Sequence, residues 1–123
     1  MKKITLFESE RKLMELLWEN EGTPAKELAL LASEQINWNK NTTYTVIKKL
    51  VAKGAIARSE PDYICHSLIS REDAGREEAQ KVLHSFFGGS AKALFSSFIV
   101  DGTLSPKEAD ELKKLIEKHG RKE

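Results

Sequence analysis

A single cysteine, Cys65, leaves this 123-residue chain without any intrachain disulfide, and a chain of that kind suits a reducing compartment. Apolar runs long enough to cross a bilayer are missing too. The opening MKKITLFESE carries two lysines, turns acidic at once and lacks the apolar stretch of a signal peptide. Together these absences set the expectation of a soluble cytoplasmic protein. Proline and glycine are sparse, and there is neither an internal repeat nor a low-complexity segment. Catalytic signatures are also lacking: no GxSxG, P-loop, GxGxxG or HExxH occurs. The pair Gly88-Gly89 falls between predicted helices and reads as a helix break. Glu72-Asp73 and Glu77-Glu78 read as solvated helix surface. An enzyme is not expected. Metal ligands are scarce as well. Cys65 and His66 are neighbours on a predicted strand, so their side chains point to opposite faces. His84 and His119 stand alone, whereas structural zinc normally takes four ligands. The expectation is no metal and no other cofactor, with Cys65 as a small apolar filler.

Acidic residues are absent from one further place, and there the absence is informative. Glu8 to Glu34 holds seven acidic side chains against three basic ones, but Asn39 to Ser59 holds none, while Lys40, Lys48, Lys49, Lys53 and Arg58 are all basic. The net charge of +1 therefore hides a localised anion-binding stretch. Within it, Asn39 to Gly54 reads as one helix. Asn39 is its N-cap and Gly54 its left-handed C-terminal stop. Thr43, Val46, Ile47, Leu50 and Val51 recur at helical spacing and mark the apolar side. The other side carries Asn41, Thr45, Lys48 and Lys49, with Thr42 and Tyr44 near its edges. Lysines of this kind meet phosphates, and short Thr, Asn and Tyr groups reach base edges in the major groove. The plainer alternative is a solvated surface helix.

Taken in order, Thr5-Leu6-Phe7-Glu8 has capping-box spacing and predicts a helix to about Asn20. Its buried stripe is Leu6, Leu13, Leu16, Leu17 and Trp18, with Met14 near the edge. Thr23-Pro24 predicts a second helix, with threonine as cap and proline at the first helical position. That helix runs to about Gln35 and turns Leu28, Leu31, Ala32 and Ile36 inward. A short turn with Trp38 wedged beneath it leads into the basic helix. Three helices with a tight turn before the third match a helix-turn-helix. Ala55 to Ser59 and Tyr63 to Leu68, joined by Glu60-Pro61-Asp62, predict a small β-hairpin wing. Arg58 lies on the wing within reach of phosphate, whereas Glu60 and Asp62 at the tip would be repelled by it.

Ser70 caps a fourth helix to about Phe87. Ser90 caps a fifth, which ends near Asp101-Gly102. Ser105-Pro106-Lys107-Glu108 caps a sixth, which runs to about His119. These three helices carry Val82, Leu83, Phe86, Phe87, Leu94, Phe95, Phe98, Ile99, Leu104, Leu112, Leu115 and Ile116. Each such side chain gains roughly 1.5–3 kcal/mol from burial, more apolar surface than one small domain can shelter. A C2 homodimer with interlocked C-terminal halves is the expectation, and it would present two DNA-binding halves to a dyad. A small-molecule pocket lined by Phe86, Phe87, Phe95 and Phe98 is the alternative.

Specific segments of the chain resemble the penicillinase repressor family of transcriptional regulators. The matching pieces are Glu10 with LMELLW (Leu13 to Trp18), Trp38 with NTTYTVIKKLVAKG (Asn41 to Gly54), LIS (Leu68 to Ser70), FFGGS (Phe86 to Ser90) and LSPKEADELKKLIE (Leu104 to Glu117). The most specific segment is Trp38 to Gly54, where the family reads roughly W-x-x-N-T-V-x-T-x-L-x-R-L-x-x-K-G. The resemblance implies a dimeric winged-helix repressor on a dyad operator, typically with TACA/TGTA-like half-sites. Such a repressor blocks genes of β-lactam antibiotic resistance or copper homeostasis. In the β-lactam branch a membrane sensor protease detects the antibiotic, and cleavage within the dimerisation helices inactivates the repressor. Thr42 and Thr45 fall on the family's operator-contacting helix, Lys48 and Lys49 on its basic pair, and Tyr44 where many members have arginine. The family's cleavable asparagine–phenylalanine bond corresponds to Ser97-Phe98, where the asparagine is missing. The cysteine pairs of copper-responsive members are absent from the C-terminal HGRKE. Cys65 stands where members usually have a wing tyrosine.

The expected fold is thus mostly α with a small β-hairpin wing. Residues 1–70 would form a winged helix-turn-helix for DNA binding and residues 71–123 a helical dimerisation region. The function expected is a sequence-specific repressor. The alternative is a winged-helix module that dimerises to bind a protein or sense a ligand without sequence-specific DNA binding.

Overall fold

A computed structural model describes residues 4–120. The elements run α1 (Glu8–Glu19), β1 (Thr23–Pro24), α2 (Ala25–Ile36), α3 (Lys40–Lys53), β2 (Ile56–Ser59), β3 (Ile64–Ser67), α4 (Arg71–Phe87), α5 (Ala91–Val100) and α6 (Pro106–Gly120). This is a winged helix-turn-helix followed by C-terminal helices. The chain divides into two compact units between Ala79 and Gln80, a point inside α4.

In the first unit, α1, α2 and α3 close over a core of Leu13, Met14, Leu17, Leu28, Ile47 and Leu50. Ile56 and Cys65 seal it from the sheet side. The hairpin β2–β3 forms at the predicted place, with Ile56 opposite Ser67 and Ser59 opposite Ile64. The sheet, however, has three strands in the order β1-β3-β2. Thr23 and Pro24 do not open α2 as cap and first helical residue. They are extended, they pair with Cys65 and Ile64, and Pro24 itself occupies the cap position of α2. The Thr23 hydroxyl turns back to donate to the Asn20 carbonyl. Proline suits this edge, because its missing N–H interrupts no ladder bond.

The start of α1 also differs from the capping-box prediction. Thr5 remains outside the helix, and Phe7 is the N-cap residue. Its N–H donates to the Glu10 carboxylate at 2.8 Å. The cause is tertiary. Ile4 is buried and Leu6 half-buried against the core, and the Thr5 carbonyl accepts from Lys53 Nζ at 2.8 Å. The segment is therefore held extended. Met14, expected at an edge, is fully buried.

Buried side chains and local caps hold the rest of this unit. The Trp18 indole N–H donates to the Ile69 carbonyl at 2.9 Å, fixing the start of α4 against α1. Glu21 accepts from the Ser67 hydroxyl at 2.7 Å and from its N–H, pinning the end of β3 to the α1–β1 turn. Cys65 is fully buried, and burial pushes its thiol up to about 11 from 9.0. The unfolded chain therefore loses this proton at a lower pH than the folded chain. Stability from the buried thiol is complete below pH 9 and falls as pH rises through 11. A chromogenic disulfide reagent should accordingly leave the folded protein unmodified at neutral pH and label it once on unfolding. Rapid stoichiometric labelling of the folded protein would contradict this burial.

The caps of the last three helices stand as expected. The Ser70 hydroxyl accepts from Asp73 N–H at 3.0 Å at the head of α4. Ser90 accepts from Ala93 N–H at 3.0 Å for α5, and Ser105 from Glu108 N–H at 3.1 Å for α6. Phe95 and Phe98 meet edge to face with centroids 6.2 Å apart. No residue of α4, α5 or α6 is fully buried.

Candidate nucleic-acid interface

Helix α3 is fixed at both ends by its own sequence. Asn39 Oδ1 accepts from Thr42 N–H at 2.8 Å. Gly54 turns left-handed at φ 85°, and its N–H returns to the Leu50 and Val51 carbonyls. Between them Thr43, Val46, Ile47 and Leu50 are buried, which leaves Asn41, Thr42, Thr45, Lys48 and Lys49 exposed on one face. Five of the predicted site residues are thus brought together, and no carboxylate lies on α3 among them.

The remaining two sit differently. Tyr44 is half-buried and packed against the core, with the Lys40 ammonium 5.8 Å from its ring centre. Only part of its ring faces outward. Arg58 lies on β2, where its guanidinium stacks 4.6 Å from the Tyr63 ring centre and pairs with Glu60 at 3.4 Å. Glu60 thus competes with any phosphate for this arginine.

Thr45 has a specific chemistry. Its hydroxyl donates to the Asn41 carbonyl of its own helix at 2.9 Å. Outward it therefore offers lone pairs and a methyl group. That set suits the amino group of cytosine or adenine as a donor, or the thymine methyl as an apolar contact.

One lysine of the acid-free stretch turns inward. Lys53 Nζ pairs with the carboxylate of Glu10, which is 3% exposed. The same ammonium donates to the Thr5 carbonyl and lies 4.2 Å from the Phe7 ring centre. It locks the C-terminal end of α3 to the head of α1 and is removed from the positive face. Neither the burial of Glu10 nor this role of Lys53 is visible in local sequence. Their one local sign is the apolar run of α1, which places Glu10 one turn ahead of Leu13 and Met14.

A shallow depression adjoins the exposed face of α3. Ser9 on α1 forms one wall, and Asn39, Asn41, Thr42, Thr45, Val46 and Lys49 form the other. In the second unit an apolar groove of about 760 Å³ runs between α5 and α6, with Phe95, Ile99, Leu104, Leu112 and Ile116 along it. The other predicted dimer residues are spread over the same helices. Leu83, Phe87, Leu94 and Phe98 are half-buried, while Phe86 and Leu115 are exposed. Ser97 lies inside α5, its hydroxyl bonded to the Leu94 carbonyl at 2.7 Å. The bond between Ser97 and Phe98 is therefore helical. No group of three or more metal-ligating side chains occurs among the described residues. None of the helices described is long and apolar enough to cross a membrane.

A helix-turn-helix with a wing and a basic outward helix is the arrangement of winged-helix regulators. The chain belongs to the penicillinase repressor family, whose pattern matches residues 6–118. It is 24% identical over 122 residues to a penicillinase repressor of Bacillus licheniformis, covering 97% of this chain and 95% of that one. To a penicillinase repressor of Staphylococcus aureus it is 26% identical over 117 residues, covering 94% and 93%. To the methicillin resistance regulatory protein MecI of Staphylococcus aureus strain N315 it is 24% identical over 112 residues, covering 89% and 91%. Members of this family are transcriptional regulators, not enzymes.

Proposed function

We propose that this chain is a homodimeric, sequence-specific repressor that occupies a dyad operator with α3 in the major groove. The observation that carries the reading is the composition of the exposed α3 face: Asn41, Thr42, Thr45, Lys48 and Lys49 together, with no carboxylate among them. Thr42, Thr45 and the exposed part of Tyr44 read base edges. Lys48 and Lys49 hold phosphates, and Arg58 joins them by exchanging Glu60 for the backbone. Residues 71–123 supply the dimer contacts through α4, α5 and α6. Half-sites of the TACA/TGTA kind, β-lactam resistance genes as targets and a membrane sensor protease as the relieving partner extend the reading by kinship. Cutting at Ser97-Phe98 would require α5 to unwind locally, because a protease takes its substrate extended.

The test is fluorescence anisotropy of a duplex carrying a TACA/TGTA dyad, beside a scrambled duplex, across a salt series. The parent should prefer the dyad by about 4 kcal/mol or more and show a steep salt dependence. Lys48→Ala should weaken both duplexes alike and lower the salt slope by about 1. Thr45→Ala should instead erode the preference for the dyad by about 1–3 kcal/mol. Equal, weak and salt-insensitive binding of the parent to both duplexes would overturn the reading in favour of a protein-binding winged helix.

A further inference from the structure

The depression beside α3 reaches beyond the recognition helix to α1, and hydrogen-bond donors from both helices stand around it. Asn39 Oδ1 is used by Thr42 N–H, so the side-chain amide is oriented and its Nδ2 hydrogens remain to donate. The Ser9 hydroxyl has no hydrogen-bond partner among the described residues, and Ser9 is exposed. Lys49 brings the positive charge, and none of the residues lining the depression is a carboxylate. Two neutral donors and an ammonium, with no carboxylate among the lining residues, form a site for an oxyanion. With α3 in the major groove, the oxyanion beside its first turns is a backbone phosphate.

We propose that Ser9 and Asn39 are DNA-contact residues, which hold with Lys49 one phosphodiester of the operator backbone and so set how α3 enters the groove. This inference rests on the repressor reading above and extends it from α3 to α1.

The test titrates parent, Ser9→Ala, Ser9→Thr and Asn39→Asp with the dyad duplex, intact and with one phosphate at a time replaced by a neutral methylphosphonate. Aspartate keeps the acceptor that caps Thr42 N–H, and alanine favours the helix, so unfolding midpoints should stay at the parent value. Ser9→Ala should bind the intact duplex about tenfold more weakly, as expected for loss of a hydrogen bond to a charged group, and Asn39→Asp more weakly still, because its carboxylate also repels the phosphate. Ser9→Thr, which keeps the hydroxyl, should bind like the parent. Ser9→Ala should leave the salt slope unchanged, because it removes no charge. One methylphosphonate position should weaken the parent by more than about tenfold, Ser9→Ala by less than the parent and Asn39→Asp least of all, because the neutral phosphate no longer repels its carboxylate, which identifies the phosphate they share. A parent that prefers the dyad while Ser9→Ala and Asn39→Asp bind like it would overturn this inference alone. A parent that binds neither duplex would overturn both this inference and the repressor reading.

Discussion

Lys53→Met should lower the stability of the folded chain by about 3 kcal/mol, the low end of the range for breaking a buried ion pair. The asymmetry of the pair sets the size. Glu10 is 3% exposed and Lys53 28%, so removing the lysine strands a carboxylate that water cannot reach. The stranded carboxylate would keep only the Phe7 N–H, 2.8 Å away. The Thr5 carbonyl and the Phe7 ring lose the ammonium as well. Methionine fills similar space without charge, so the effect reports electrostatics more than a cavity. Combining it with Glu10→Gln should recover a large part of the loss, because glutamine keeps an acceptor for Phe7 N–H and carries no charge. Lys48→Met on the exposed face of the same helix should change stability by no more than about 0.5 kcal/mol. Urea unfolding of the four proteins, with slopes compared to confirm that midpoints report stability, checks the series. A Lys53→Met midpoint equal to that of Lys48→Met would refute the buried pair. At temperatures where Lys53→Met stays folded, its salt slope for DNA should match the parent's, because Lys53 faces Glu10 and not phosphate.

That pair also shows where the sequence was legible and where it was not. Every feature encoded within about four residues was readable. Asn39 and Gly54 bound α3, and Thr43, Val46, Ile47 and Leu50 took its inner face. Ser70, Ser90 and Ser105 each capped the helix they precede. The exposed α3 face follows from the same periodicity. The misreadings all depend on partners far along the chain. Glu10 and Lys53 lie 43 residues apart, and no local pattern says that a carboxylate in the first turn of a helix is buried. Thr23-Pro24 has the local chemistry of a helix start, but Cys65 and Ile64 recruit it as a third strand. Thr5 has the spacing of a cap, but its carbonyl is taken by Lys53. Arg58 was visible as a basic wing residue, while its stacking on Tyr63 depends on how the hairpin twists. Ser9 gave no signal at all, because its place beside α3 comes from the packing of α1 across the recognition helix.

The largest effect on operator binding is expected from a residue outside the winged helix. Ile116→Glu should convert a micromolar dimer into a monomer. In one chain Ile116 is 60% exposed, beside Leu115 at 54%, and Ile99 on α5 is 63% exposed. A carboxylate on that wet surface costs the single chain little. In a dimer interface built from α4, α5 and α6 it would be an unpaired buried charge, which costs several kcal/mol and is repeated in both copies by symmetry. The consequence for DNA follows from linkage. Once one recognition helix is bound, its dimer partner meets the second half-site at high local concentration, a gain of about 10²–10⁴ over either contact alone. Ile116→Glu should forfeit that gain on a dyad duplex and bind a single half-site as the parent does. Its far-ultraviolet spectrum should be unchanged, since the substitution sits on an exposed turn of α6. Sedimentation at micromolar concentration, together with titration of dyad and half-site duplexes, separates the steps. A parent that sediments as a monomer, or an Ile116→Glu chain that remains dimeric, would show that the apolar faces of α5 and α6 do not meet a second copy.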